Sequence, residues 1–216
     1  MRLGVLASGS GSNLQAILDG CASGKIPAEV AVVICNAPGA GALQRAEAAG
    51  VPALLLDHRK HASRDDYDWE LVAALRKQGV DLVCLAGFMR LIGPALLNAF
   101  QNKILNIHPS LLPAFPGMHA VRQALAAGVR VSGCTVHVVD QGTDTGPILI
   151  QAAVPVLDGD TEESLAARIL VQEHRCYPRA ISLWAEGRVL IDGRRVRIDG
   201  AAGDPARAVS SPELLD

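Results

Sequence analysis

Five short runs of apolar residues, at 2–7, 30–35, 53–56, 81–86 and 104–107, carry almost no polar alternation. A strand with one wet face alternates with period two, so unbroken runs of this length describe strands covered on both faces. Such strands need helices above and below them. Helical spacing supplies these at 13–22, 43–49 and 65–77, and Gly50 and Gly79 stand where C-terminal caps belong. A β-α-β series of this kind predicts an α/β fold with a Rossmann-like, doubly wound, mostly parallel sheet.

The pattern changes after Gly117. A short helix at 121–127 leads to two longer strands, 131–139 and 148–156, which face each other across a polar loop. This predicts an antiparallel C-terminal extension of the sheet. Asp160 with Glu163 fits a capping box opening a helix that runs through Leu165 and Ile169 towards His174. Arg188, Arg194, Arg195 and Arg197 alternate with apolar residues, as on the wet face of a closing hairpin turned at Gly193. We read 1–200 as a single domain, with a parallel half at 1–108 and a second half with the hairpin at 109–200. Residues 201–216, rich in Ala, Pro, Ser and Asp, read as a loose tail.

Half of the 216 residues are apolar, enough for a sizeable core, and the formal net charge of −2 argues against a nucleic-acid surface. The five cysteines form no CxxC pair, are odd in number and lie partly in apolar runs, which fits reduced, structural thiols. No apolar run reaches the length of a membrane span, and Ser8 and Gly9 cut short any secretory signal. These features predict a cytoplasmic protein that binds neither membrane nor nucleic acid.

In open α/β sheets, ligands bind beyond the carboxyl ends of the strands. The segment Gly9-Ser10-Gly11-Ser12-Asn13 follows the first strand and opens a helix, so its amides can cradle a phosphate. It lacks the third glycine of a dinucleotide fingerprint, and Cys35-Asn36 at the second strand's end offers no acid for a ribose diol. No GK[ST] follows either, so a monophosphate fits best. Asn106 and His108 close the fifth strand two residues apart and therefore share a face. With Asp144 downstream they make up an amide, an imidazole and a carboxylate. Those are the polar types needed to stabilise an oxyanion and move protons in acyl transfer.

Asn106-Ile-His108-Pro-Ser-Leu-Leu-Pro, Phe115-Pro-Gly117, the Gly133 to His137 strand and Asp144-Thr-Gly-Pro resemble the folate-dependent formyltransferases. The resemblance runs from residue 1 to about 187. It implies formyl transfer from 10-formyltetrahydrofolate to the amine of glycinamide ribonucleotide, with no metal. It further implies that Asn106 binds the formyl oxygen, that His108 donates the proton, and that Asp144 keeps the imidazole charged and helps relay the amine's proton. A carboxylate neighbour should raise the pKa of His108. Gly11, Ser12 and Asn13 would take the substrate phosphate, and Leu170, Val171, Gln172 and Glu173 its ribose. Taken alone, Glu173 reads as a solvated helix residue. Arg64, Met89, Arg90, Leu91, Ile92, Asp140, Gln141, Gly142 and Thr143 would enclose the folate, with His137 supporting the catalytic group from behind. Monomer and homodimer both remain open.

Two relatives implied by the same motifs fit less well. A formyltetrahydrofolate hydrolase would place a regulatory domain before the first strand, which here begins at Arg2. An initiator-tRNA formyltransferase would add a C-terminal domain and a basic face. A non-catalytic nucleotide-binding module is the alternative of a different class. The stretch after His119 (Ala120, Val121) and the loop Gln141-Gly142-Thr143 depart from the family's usual histidine and acidic residues, away from the three catalytic positions.

Overall fold

The computed structural model describes residues 1–200, so the expected tail at 201–216 lies outside the described residues. Seven strands form one sheet in the order β3-β2-β1-β4-β5-β6-β7: β1 (Arg2–Ala7), β2 (Glu29–Cys35), β3 (Ala53–Leu55), β4 (Leu82–Leu85), β5 (Ile104–His108), β6 (Val131–Val138) and β7 (Ile148–Pro155). The first five run parallel, and β6 and β7 extend the sheet antiparallel.

Burial explains the missing alternation. On one face of the sheet Val5, Val33, Cys35 and Cys84 pack under α1 (Ser12–Ala22), α2 (Gly41–Ala48), α5 (Ala120–Ala126) and α6 (Glu162–Ala185). On the other face Leu6, Val32, Ile34 and Val83 pack under α3 (Arg64–Lys77) and α4 (Pro94–Ala99). Each fully buried Leu, Ile or Val contributes about 1.5–3 kcal/mol relative to exposure, so residues of both parities are apolar. β7 sits at the sheet edge and alternates between buried and open positions, with Pro155 at its end.

Gly50 and Gly79 close α2 and α3 with φ of 68° and 63°, as their positions predicted. The capping box of α6 lies one residue beyond the expected pair. Thr161 accepts from the Ser164 amide and the Ser164 hydroxyl accepts from the Thr161 amide. Asp160 instead accepts a forked pair from Arg168, at 2.7 and 2.9 Å. α4 and a 3₁₀ turn at His58–Lys60 are further elements, too short to show a period in sequence. A separate hairpin, β8 (Val189–Asp192) and β9 (Arg195–Ile198), turns at Gly193 and leaves Arg195 and Arg197 exposed. All five cysteines are free. Among the described residues, no helix is long and apolar enough to cross a membrane.

Candidate active site

β1 lies between β2 and β4, which makes the carboxyl end of β1 the point where the winding reverses. The loops leaving β1 and β4 are tied there. Ser8 donates its amide to the Gly87 carbonyl at 3.1 Å, and the Met89 amide donates to the Ser8 hydroxyl at 2.8 Å. Gly11 caps α1 in the left-handed region, at φ 76° and ψ 26°, and no side chain accepts from the first turn. A Cβ on Gly11 would lie 2.7 Å from the Cα of Ala42, so both the turn and the approach of α2 require glycine. The loop therefore presents bare helix amides to the sheet edge.

Asn13 faces inward from this turn. Its Nδ2 donates to Oε2 of Glu173 on α6 at 2.7 Å, and its Oδ1 is buried without a partner among the described residues. Glu173 is buried, contrary to its reading as a solvated helix residue. Burial raises its pKa, and the Asn13 bond pulls the other way. The sequence held a signal for this position, because Leu165, Ile169, Glu173 and Tyr177 repeat every four residues along the buried stripe of α6.

Across the sheet, β5 and β6 pair so that Asn106 stands opposite His137, and His108 opposite Thr135. Asn106 Nδ2 lies 3.2 Å from His137 Nε2 and 3.5 Å from Asp144 Oδ1. His108 Nδ1 lies 3.3 Å from Asp144 Oδ2, and His137 Nε2 lies 3.5 Å from Asp144 Oδ1. The structure thus brings Asn106, His108, His137 and Asp144 together around one carboxylate. Asp144 reaches the cluster from a residue at φ 55°, fixed by the Gly117 amide at 2.8 Å. The loop after β5 is stitched to the sheet as well: Thr135 Oγ1 donates to the Ser110 carbonyl and accepts from the Leu112 amide.

His108 Nε2 lies 2.9 Å from the Phe115 carbonyl. A carbonyl only accepts, so this contact places a proton on Nε2 and turns Nδ1 towards Asp144. Burial of Asp144 alone would raise its carboxyl, but hydrogen bonds from His137 and the Gly117 amide, with the charges of both imidazoles, hold it at about 2. The expected rise at His108 is not what the structure gives. Burial pushes its pKa down, and this outweighs the upward pull of the Phe115 carbonyl and Asp144. The ring is therefore biased to the neutral form at rest.

The other residues singled out in the sequence differ in exposure and in what they contact. Met89 and Leu91 are exposed apolar side chains beside the loop, and Ile92 is half-buried. The Arg90 guanidinium lies over the Tyr67 ring, 5.4 Å from its centroid, a support sequence reasoning did not anticipate. Arg64 is exposed at the start of α3. Asp140 orders its own loop by accepting from the Gly142 amide and the Thr145 hydroxyl, and Gln141, Gly142 and Thr143 are exposed. Val171 faces solvent, and Leu170 and Gln172 are half-buried beside Glu173.

Residues 1–181 match the formyl transferase family. The chain is 50% identical over 88% of its length to the trifunctional purine biosynthetic protein adenosine-3 of Drosophila melanogaster, but spans only 14% of that protein. It is 44% identical to the phosphoribosylglycinamide formyltransferase of Escherichia coli, over 94% of this chain and 100% of that one. A crystal structure of glycinamide ribonucleotide transformylase 1 from Symbiobacterium toebii superposes with a TM-score of 0.91 at 62% identity, covering 92% of this chain and 93% of that one. With a family match over residues 1–181, a relative of similar length at 44% identity and the same fold as a solved transformylase, the chain belongs to the formyl transferase family.

Proposed function

We propose that the chain transfers the formyl group of 10-formyltetrahydrofolate to the amine of N1-(5-phosphoribosyl)glycinamide, giving the formylated ribonucleotide and tetrahydrofolate in purine biosynthesis. The observation that carries this reading is the convergence of an amide, an imidazole and a carboxylate within 3.5 Å at one sheet edge. It is supported by the phosphate-type turn at Gly11 on the same edge and by the names of full-length bacterial relatives.

In this reading Asn106 donates an amide proton to the formyl oxygen, where negative charge develops during attack. His108, neutral at rest, takes the proton of the attacking amine on Nδ1. The imidazolium so formed is held between Asp144 and the Phe115 carbonyl. It then returns that proton to the leaving nitrogen, acting first as base and then as acid. Asp144, ionised at rest in the neutral range, passes the amine's proton on to Nδ1 of His108 and is left ionised again. His137 holds the carboxylate in place from behind. Gly11, Ser12 and Asn13 take the phosphate, and Leu170, Val171, Gln172 and Glu173 the ribose.

The folate supplies an activated formyl carbon on an arylamine nitrogen. In this reading exposed Met89 and Leu91 offer apolar contact to its flat ring, and the loop from Asp140 to Thr143 closes over it. Arg64 takes the acidic tail of the folate, and Arg90 belongs with Met89, Leu91 and Ile92 around the ring.

Mixing the protein with 10-formyltetrahydrofolate and following folate absorbance tests the proposal. Loss of the formyl group that depends on glycinamide ribonucleotide is expected. Loss without the amine would make the protein a hydrolase, and no loss in either case would leave a binding module.

A further inference from the structure

Beside the phosphate-type turn, α1, α2 and α6 enclose a cleft of about 600 Å³. Its lining includes Ser12 of the turn, Gln15, Lys25, Arg45 and His174. Nothing in the proposed roles above uses Arg45 or His174.

A phosphate monoester carries close to two negative charges at neutral pH, and protein sites normally meet it with cationic donors as well as amides. The residues so far placed around the substrate offer none. Ser12 and Asn13 are neutral, and on α6 the set is Leu170, Val171, Gln172 and a carboxylic acid, Glu173. Arg45 is the arginine at the turn. Its Nε donates to the Ser10 carbonyl at 2.9 Å and its Nη1 to the Gln15 side chain at 3.0 Å. Among the described residues no carboxylate pairs with it and Nη2 has no acceptor. His174 approaches from α6, directly after Glu173, and its Nε2 is buried without a partner among the described residues. Its pKa is lowered by burial and by the Arg45 charge, so the two side chains sense each other across the cleft.

We infer that Arg45, assisted by His174, binds the phosphate of the substrate, supplying from α2 the positive charge that the α1 turn and the 170–173 segment lack. The turn delivers backbone amides to the phosphate and the cleft delivers Nη2 of Arg45 and Nε2 of His174. The bond from Arg45 Nε to Ser10 serves a second end, because it fixes the guanidinium relative to the turn before substrate arrives. Arg45 thereby selects phosphorylated amines over their dephosphorylated nucleosides.

This inference rests on the proposed function for the identity of the substrate, and its test keeps the two apart. The kcat/KM ratio of glycinamide ribonucleotide over its dephosphorylated riboside is measured for the wild type, R45Q, R45K and H174A. Binding of inorganic phosphate to the same proteins is measured by calorimetry. R45Q should shrink the substrate ratio roughly 10- to 100-fold, mainly through KM, and weaken phosphate binding by a similar factor, with R45K recovering part of both. H174A should give a smaller loss of the same kind. An R45Q protein that keeps the wild-type ratio, or loses equally on both substrates, would overturn the inference. If the wild type turns over neither substrate, the proposed function fails while the phosphate measurement still decides the role of Arg45.

Discussion

Asn13 and Glu173, 160 residues apart, share a 2.7 Å hydrogen bond that joins the first turn of α1 to the middle of α6. The bond is buried and its acid is raised by that burial, so its strength depends on pH. An acid whose folded-state pKa is raised gives up stability as pH climbs from its ordinary value through the raised one, because the unfolded chain releases the proton first.

Glu173→Gln keeps an acceptor for Asn13 and removes the ionisable group. Denaturant unfolding at pH 5 and pH 8 should show less stability lost over that interval in the variant than in the wild type. An identical loss would place the pH dependence elsewhere. Glu173→Ala should cost about 1–3 kcal/mol, since it leaves the buried Asn13 amide without a partner.

Replacing Asp144 by Asn preserves an acceptor for the Gly117 amide and removes the charge beside His108 and His137. A fall in kcat of roughly 10²–10⁴ is expected, with little change in substrate Kd, because the lost interaction belongs to the transition state. His108→Ala should fall within the same range. Single-turnover rates together with equilibrium binding check this, and near-normal turnover in either variant would remove that residue from the mechanism.

The pH profile follows from burial of His108. The ring must be neutral to accept the amine's proton, and burial sets its pKa below the ordinary 6.5. Activity should hold on a plateau at neutral pH and fall only on the acid side, below 6.5. Asp144 pulls the His108 value upward, so the residual activity of D144N should carry its acid limb at still lower pH. A limb above 6.5 in the wild type would mean that substrate-free burial does not govern the working state.

Gly11 and Gly9 differ sharply despite standing two residues apart. Gly11→Ala combines a left-handed φ of 76° with a Cβ 2.7 Å from Ala42 Cα, whereas a Cβ on Gly9 meets nothing within 4 Å. Gly11→Ala should lose about 1–3 kcal/mol of stability and weaken binding of the phosphorylated substrate. Gly9→Ala should leave stability close to wild type. Thermal unfolding of the two variants side by side, with substrate titrations, decides this.

Much of this could be read from the sequence, and what could not has physical causes. The unbroken apolar runs of β1, β2 and β4 reported burial on both faces directly, and the spacing of Asn106 and His108 reported a shared strand face. The pairing of Asn106 with His137 was hidden, because it depends on the β5 and β6 register, which involves residues 31 apart. The α6 box shifted to Thr161 and Ser164 because Asp160 was taken by Arg168, a competition invisible to a local motif. The pKa of His108 went the opposite way because a neighbour's charge can be read from sequence and the depth of burial cannot. Glu173 was misjudged by its residue type, although its position on the i, i+4 stripe indicated its true environment.

Tyr177 on α6 shares its hydroxyl proton between the Leu85 and Leu105 carbonyls, at 3.0 and 2.9 Å. Those carbonyls lie on β4, which leads into the Met89 segment, and on β5, beside Asn106. In the order of synthesis they leave the ribosome 92 and 72 residues ahead of the tyrosine that joins them. The two strands already pair through their own backbones, Leu85 opposite Asn106, and the tyrosine hydroxyl adds a side-chain clasp to that join. A nascent chain stalled before α6 would carry Asn106, His108 and Asp144 but neither this clasp nor the Glu173 partner of Asn13.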